Sequence, residues 1–282
     1  MVKKFFYLKI LLPVALTVIL GGYYYSFNFT PDLNSQTKQV IIENTEQDYS
    51  SHSTEHINSK KKQDSLKAQE QRFLAKLNEE HPKKDILNET DTQVLLTKSF
   101  KRMHAMGNFF NAKSLQREEI QALLEKPANL EKAQNILLDI NTTLSDFGED
   151  QALARVYAIK MLEEQARLGD IKPLYDVSTQ LAEQLNHQIE SGIELEKGRE
   201  YDLESLLNIA VKQVNIEELS DPNNVAALLN QSGFRDDMSK QIISYYDNAV
   251  FFPLLKKYGR EKAKIIVAQV IDVGQNATNT VN

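Results

Sequence analysis

Apolar positions recur every three or four residues along most of this chain. Leu130, Ala133, Leu137, Ile140 and Leu144 form one series, and Leu203, Leu206, Leu207, Ala210, Val211 and Val214 form another. That spacing lines one face of a helix. From Glu149 to Leu168 the charged stripe narrows to Lys160, Glu163, Glu164 and Arg167, while Ala158, Ile159, Met161, Leu162 and Ala166 fill much of the remaining circumference. A helix apolar over so much of its surface is expected to be packed by neighbours on more than one side. No alternating run is long enough to compete as a buried strand.

Breaks in the pattern carry the residues that end and start helices. Pro82 and Pro127 stop the helices before them, and Ser114 and Asn129 offer caps to the helices after them. Gly169-Asp170 closes a helix just ahead of Pro173, and Gly192, Asp221-Pro222 and Gly233 supply further breaks. The spacing predicts short helices near 65–80 and 91–107, then helix pairs at 114–146, 149–190, 199–231 and 236–273. The expected fold is all-α: a multi-helix bundle or irregular α-solenoid of helix pairs over 65–275, with 276–282 as a disordered tail. The text from Ala154-Arg155-Val156-Tyr157 through Gly169-Asp170 to Pro173-Leu174 loosely resembles a HEAT unit, which implies a helical repeat.

The N-terminus departs from amphipathic patterning. Residues 5–27 are apolar around an unbroken core from Ile10 to Leu20, with Lys3, Lys4 and Lys9 before or within it and no acid until Asp32. A span takes about 20 apolar residues, and the lysines place its leading end in the cytoplasm. A cleaved signal peptide is the competing reading. Cuts after Gly21, Gly22 or Ser26 put Ile19, Leu20 or Tyr24 where a small residue is needed, so an uncleaved signal-anchor over 1–27 is expected. Residues 28–64 are polar, with a Lys60-Lys61-Lys62 run, and read as a flexible spacer. The expected setting is the bacterial inner membrane, single-pass, with the C-terminal domain in the periplasm.

Composition narrows the chemistry. The chain has no cysteine, so disulfides, thiolate metal sites and cysteine nucleophiles are excluded. Its net charge of −6 divides into +3 over residues 1–30, −2 over 31–64 and −7 beyond. A net acidic exported body argues against nucleic acid as a partner. Its five histidines show no metal spacing, and no Gly-rich phosphate loop or nucleophile elbow occurs, so neither a metal nor a cofactor is expected.

Four stretches remain as candidate sites. Gln188-Ile189-Glu190-Ser191-Gly192 resembles the Glu-Ser segment that ends a helix in lytic transglycosylases. The resemblance implies Glu190 as a general acid on peptidoglycan. The Gly-Leu-Met-Gln type of motif that family carries downstream is replaced here by Ile193-Glu194-Leu195-Glu196-Lys197. Phe109-Phe110 and Phe251-Phe252-Pro253, placed at helix ends, are candidate knobs for a partner, because aromatics anchor interfaces. Lys256 to Lys264 is the densest basic patch. Anchor, spacer and helical body together are similar in arrangement to the lipase-specific foldases, although the nearest text to their Arg-x-x-Phe-Asp-Tyr motif, Arg199-Glu200-Tyr201-Asp202, has the wrong spacing. The expected function is a membrane-anchored protein-binding module (scaffold, assembly factor or client-specific chaperone) that meets a protein partner and the bilayer. A peptidoglycan-active lytic enzyme using Glu190 is the alternative.

Overall fold

The computed structural model describes residues 52–107 and 109–278, with side chains over 62–107 and 109–270. It is about 80% helical, with no strand among the described residues. The expected membrane segment and most of the spacer lie outside them. No described helix is long and apolar enough to cross a membrane.

The described residues from 61 onward form one compact unit. The described helices are α1 His52–Glu80, α2 Lys83–Leu87, α3 Thr92–Ala105, α4 Ala112–Leu124, α5 Pro127–Leu138, α6 Ile140–Phe147, α7 Gln151–Arg167, α8 Lys172–Glu190, α9 Arg199–Lys212, α10 Pro222–Gln231, α11 Lys240–Tyr258 and α12 Arg260–Thr278. Helix α1 starts 13 residues before the predicted position of 65.

The predicted pair at 114–146 is three helices. Asp139 breaks it: its carboxylate accepts from the backbone N–H of Thr142 at 3.0 Å and caps α6. The apolar spacing runs on through this cap, which is why periodicity alone misses it. Asn129 also acts differently from its predicted role. It is buried inside α5, and its Nδ2 donates to the Leu123 carbonyl at 2.7 Å, tying off the end of the preceding helix. Phe251 and Phe252 lie inside α11 rather than at a helix end, because Pro253 is accommodated within that helix.

Helix α7 is the hub. It packs on α3, α4, α5, α6, α8 and α9. Ala154, Ala158, Met161 and Leu162 are almost wholly buried, as the narrow charged stripe predicts. Glu164 of that stripe is buried too. It is held by Gln121 and by Arg167, which covers it from the next turn. From the hub, α8 and α9 carry the core to α11, and α10 and α11 carry it to α12. Phe100 stacks on Tyr157 at 5.4 Å on one side of the hub. Around α11, Tyr246 is buried against the edge of Phe234 and donates its hydroxyl to the Ser232 carbonyl at 2.8 Å.

A candidate polar groove above a buried arginine

One opening is a groove of about 660 Å³. That volume suits a small ligand or a few residues of an extended chain. Asp139 and Asn141 line it from the start of α6, and Gln184, Asn186 and Glu190 from the C-terminal half of α8. Glu196 and Arg199 line it at the entry to α9, and Arg235 lines it from the loop before α11.

Helix α8 presents this row because it ends where the sequence predicts. The backbone N–H of Ile193 bonds to the Gln188 carbonyl at 2.9 Å around Gly192, whose φ is +66°. That left-handed conformation favours glycine. Glu190 is therefore exposed on the last turn. It accepts a hydrogen bond from Asn186 Nδ2 at 2.9 Å. Asn186 is itself buried, and its Oδ1 accepts from the backbone N–H of Ser239, the cap of α11, at 2.7 Å. One asparagine thus orients Glu190 and fixes α11 to α8.

Beneath the groove lies a charged cluster that the sequence reading did not single out. Arg199 is 3% exposed, Asp202 6% and Arg155 7%. Arg155 Nε approaches Asp202 Oδ2 at 3.3 Å, and both terminal nitrogens of Arg155 donate to the Lys197 carbonyl at 3.3 Å. Arg199 donates from Nη2 to Gln184 Oε1. Hydrogen-bonding partners are incomplete, since Arg155 Nε, Arg199 Nε and Asp202 Oδ2 are buried and have none. Burial pushes the Asp202 carboxyl up to about 6, only partly opposed by Arg155 and Arg199. Burial also lowers the Arg199 guanidinium from its ordinary value, against the supporting charges of Glu196 and Asp202.

Gly198 makes this packing possible. Its φ is +94°, and a Cβ at that position would lie 2.5 Å from Arg155 Nη2. The backbone hand and the space taken by the guanidinium both require glycine. The sequence reading met Arg199 and Asp202 only as an approximate motif text. Their burial follows from the N-terminal turn of α9 facing α7 and α8, which no local pattern reveals.

The charge ledger of the groove favours carboxylates. Glu183 is engaged by Arg235 at 2.8 Å, and Gln188 donates to both oxygens of Glu196 at 3.2 and 3.1 Å. The Asp139 carboxyl is held below its usual range by the Thr142 hydroxyl and backbone N–H. The bond to Glu190 comes from a neutral amide. With four carboxylates and two guanidiniums on its walls, the groove attracts positive charge at its rim over a buried positive floor.

The other predicted sites fall elsewhere. Phe109 stacks on Phe73 of α1 at 4.1 Å and is partly buried, while Phe110 beside it is 52% exposed. Phe251 likewise packs on the core and Phe252 is 45% exposed. Each pair contributes one anchor and one outward ring. The basic patch is largely compensated. Lys257 pairs with Glu217 at 2.8 Å, Lys262 lies over the Tyr258 ring at 4.4 Å, and Lys264 reaches Glu261 at 4.0 Å. His104 is exposed, and no cluster of three or more metal-ligating groups occurs among the described residues.

Comparison with known protein families, with characterised proteins and with solved structures finds no match for this chain.

Proposed function

We propose that the chain is a membrane-anchored, periplasm-facing helical protein-binding module. Residues 5–27 hold it in the bacterial inner membrane, residues 28–64 carry the body away from the bilayer, and the body receives a protein partner. The observation that carries this reading is the groove. Elements from α6, α8, α9 and the loop before α11 converge on one open trough with polar walls and a buried arginine below. The outward rings of Phe110 and Phe252 add apolar anchors of the type that dominate interface energetics. An irregular α-solenoid of helix pairs is the architecture that fits this role.

Two experiments test it. A reporter fused at the C-terminus of the full chain is expected to be active only outside the cytoplasm. Activity inside the cell removes the setting. Cross-linking in intact cells followed by purification of the full chain is expected to yield one recurring protein adduct. Recovery of the chain alone contradicts the reading.

One observation favours a second reading. Glu190 is exposed in the groove, where a general acid meeting a glycan would be needed. A peptidoglycan zymogram of the full chain against Glu190→Gln separates the two. Clearing lost in the variant favours a lytic enzyme.

A further inference from the structure

We propose that the groove binds a peptide segment through a primary ammonium held at Glu190 and a backbone carbonyl or carboxylate held at Arg199. This deepens the binding-module reading and rests on it. Arg235 engages Glu183, Thr142 engages Asp139, and Glu196 takes Gln188 and supports the charge on Arg199. Glu190 is left with a single bond from a neutral amide, and it stands exposed on the last turn of α8. A carboxylate in that position gains more from an incoming cation than one already in an ion pair.

Arg199 is the second element of the proposed site. It is a guanidinium almost wholly removed from solvent, with one side-chain acceptor and an Nε that has none. Placing an arginine there without a full set of acceptors costs free energy unless another acceptor completes it. The groove above it is the route by which such an acceptor arrives. A peptide brings both chemistries together, a positive amine and a row of carbonyls. The walls offer amides and carboxylates, Asn141, Gln184 and Asn186 among them, which suit the polar edge of an extended backbone. A glycan would bring hydroxyls to Arg199 but no cation to Glu190.

The ammonium could belong to a lysine side chain or to a peptide N-terminus, and the test separates these. The full chain in detergent micelles is titrated calorimetrically with three peptides: Lys-Ala-Ala, the same peptide acetylated on the lysine side chain, and the same peptide acetylated at its N-terminus. Lys-Ala-Ala is expected to bind, with affinity falling as salt rises. Acetylation at one of the two amines is expected to weaken binding about tenfold, the equivalent of about 1.4 kcal/mol, and the amine affected identifies the source. Glu190→Gln is expected to weaken binding to a similar degree, and Glu190→Lys to abolish it.

Arg199→Lys tests the floor, but a buried variant could fail to fold. The exposed Glu190 variants keep the proposal open to refutation, with thermal melts confirming that they are folded. Equal binding of all three peptides, indifference to Glu190, or no binding overturns the proposal. Preferential binding of a chitin tetrasaccharide does so as well and points to the lytic reading. If a protein still cross-links to the chain while peptide binding at Glu190 is absent, this inference falls and the binding-module reading stands.

Discussion

Two sites built on buried arginines, one at Arg102 and one at Arg155 and Arg199, are treated very differently by this fold. Arg102 on α3 is 2% exposed. Its Nε donates to Glu119 at 2.7 Å, and its Nη1 donates to the carbonyls of Leu77 and His81 at the end of α1. Positive charge at a helix C-terminus is favourable, so one side chain closes α1, α3 and α4 together. Arg155 on α7 and Arg199 on α9 are nearly as buried, yet Arg199 Nε has no hydrogen-bond acceptor, Arg155 Nε meets Asp202 Oδ2 only as an ion pair at 3.3 Å, and burial raises the Asp202 carboxyl. The first site is complete within the chain. The second is incomplete and lies under the groove. The same fold satisfies a buried arginine fully in one place and leaves another partly unsatisfied beside an opening, and it is at the second that the proposed partner is placed.

Breaking the complete site is expected to have the largest effect. Arg102→Met strands the Glu119 carboxylate and frees two carbonyls, and should cost about 3–5 kcal/mol in urea denaturation of the full chain. Arg155→Met should cost clearly less, because the contacts it removes are longer. Equal losses at the two positions would remove the contrast.

Gly198→Ala sharpens the same comparison from the backbone side. It combines a left-handed φ with a Cβ placed on the Arg155 guanidinium, and about 2–3 kcal/mol of destabilisation is expected. In Gly198→Ala/Arg155→Met the second component should shrink, because the clashing atoms are gone. Strict additivity in that double variant would show that the close contact is not what glycine is there to allow.

The Asp202 carboxyl gives the contrast a pH dependence. Its folded-state value, about 6, stands above the ordinary 3.8, so the native state holds the proton more tightly than the unfolded chain does. Stability from this group is complete below about pH 4 and is lost as pH rises through about 6. Asp202→Asn cannot lose that proton. Its stability relative to the native chain should therefore improve by about 2 kcal/mol between pH 4 and pH 7. A difference that stays flat, or moves the other way, would mean that Arg155 and Arg199 fully compensate the carboxylate.

At the small end, Lys257→Ala removes an exposed ion pair with Glu217 and should change stability by less than about 1 kcal/mol. A larger loss would show that the basic patch is structural in a way its geometry does not suggest.

The sequence conveys some of this architecture and hides the rest for identifiable reasons. Helix-ending glycines are legible. Gly169 and Gly192 both close helices with the left-handed turn that their position implies. The broad apolar surface of α7 is legible because burial on several sides leaves few places for charge. The split at Asp139 is not, since a cap that preserves the spacing on both sides leaves the periodicity intact. Asn129 misleads for a related reason: an asparagine near a helix start suits a cap, but here its amide reaches backward to Leu123. Glu190 stands out as a residue, whereas the groove around it does not, because Asp139, Arg199 and Arg235 are brought to it by packing. Arg155, Arg199 and Asp202 are charged residues that a pattern of apolar spacing assigns to the outside. Only the meeting of α7, α8 and α9 shows them to be inside.

The most direct test of the central claim, that the groove is where a protein partner is received, is site-specific photo-cross-linking in living cells. A photoreactive residue replaces His187, which is exposed on the groove wall, and in a parallel strain replaces Lys84, exposed on α2 away from it. The account predicts a discrete protein adduct from position 187 that is lost when Glu190→Lys is added, and none from position 84. No adduct from 187, or the same adducts from both positions, would contradict it.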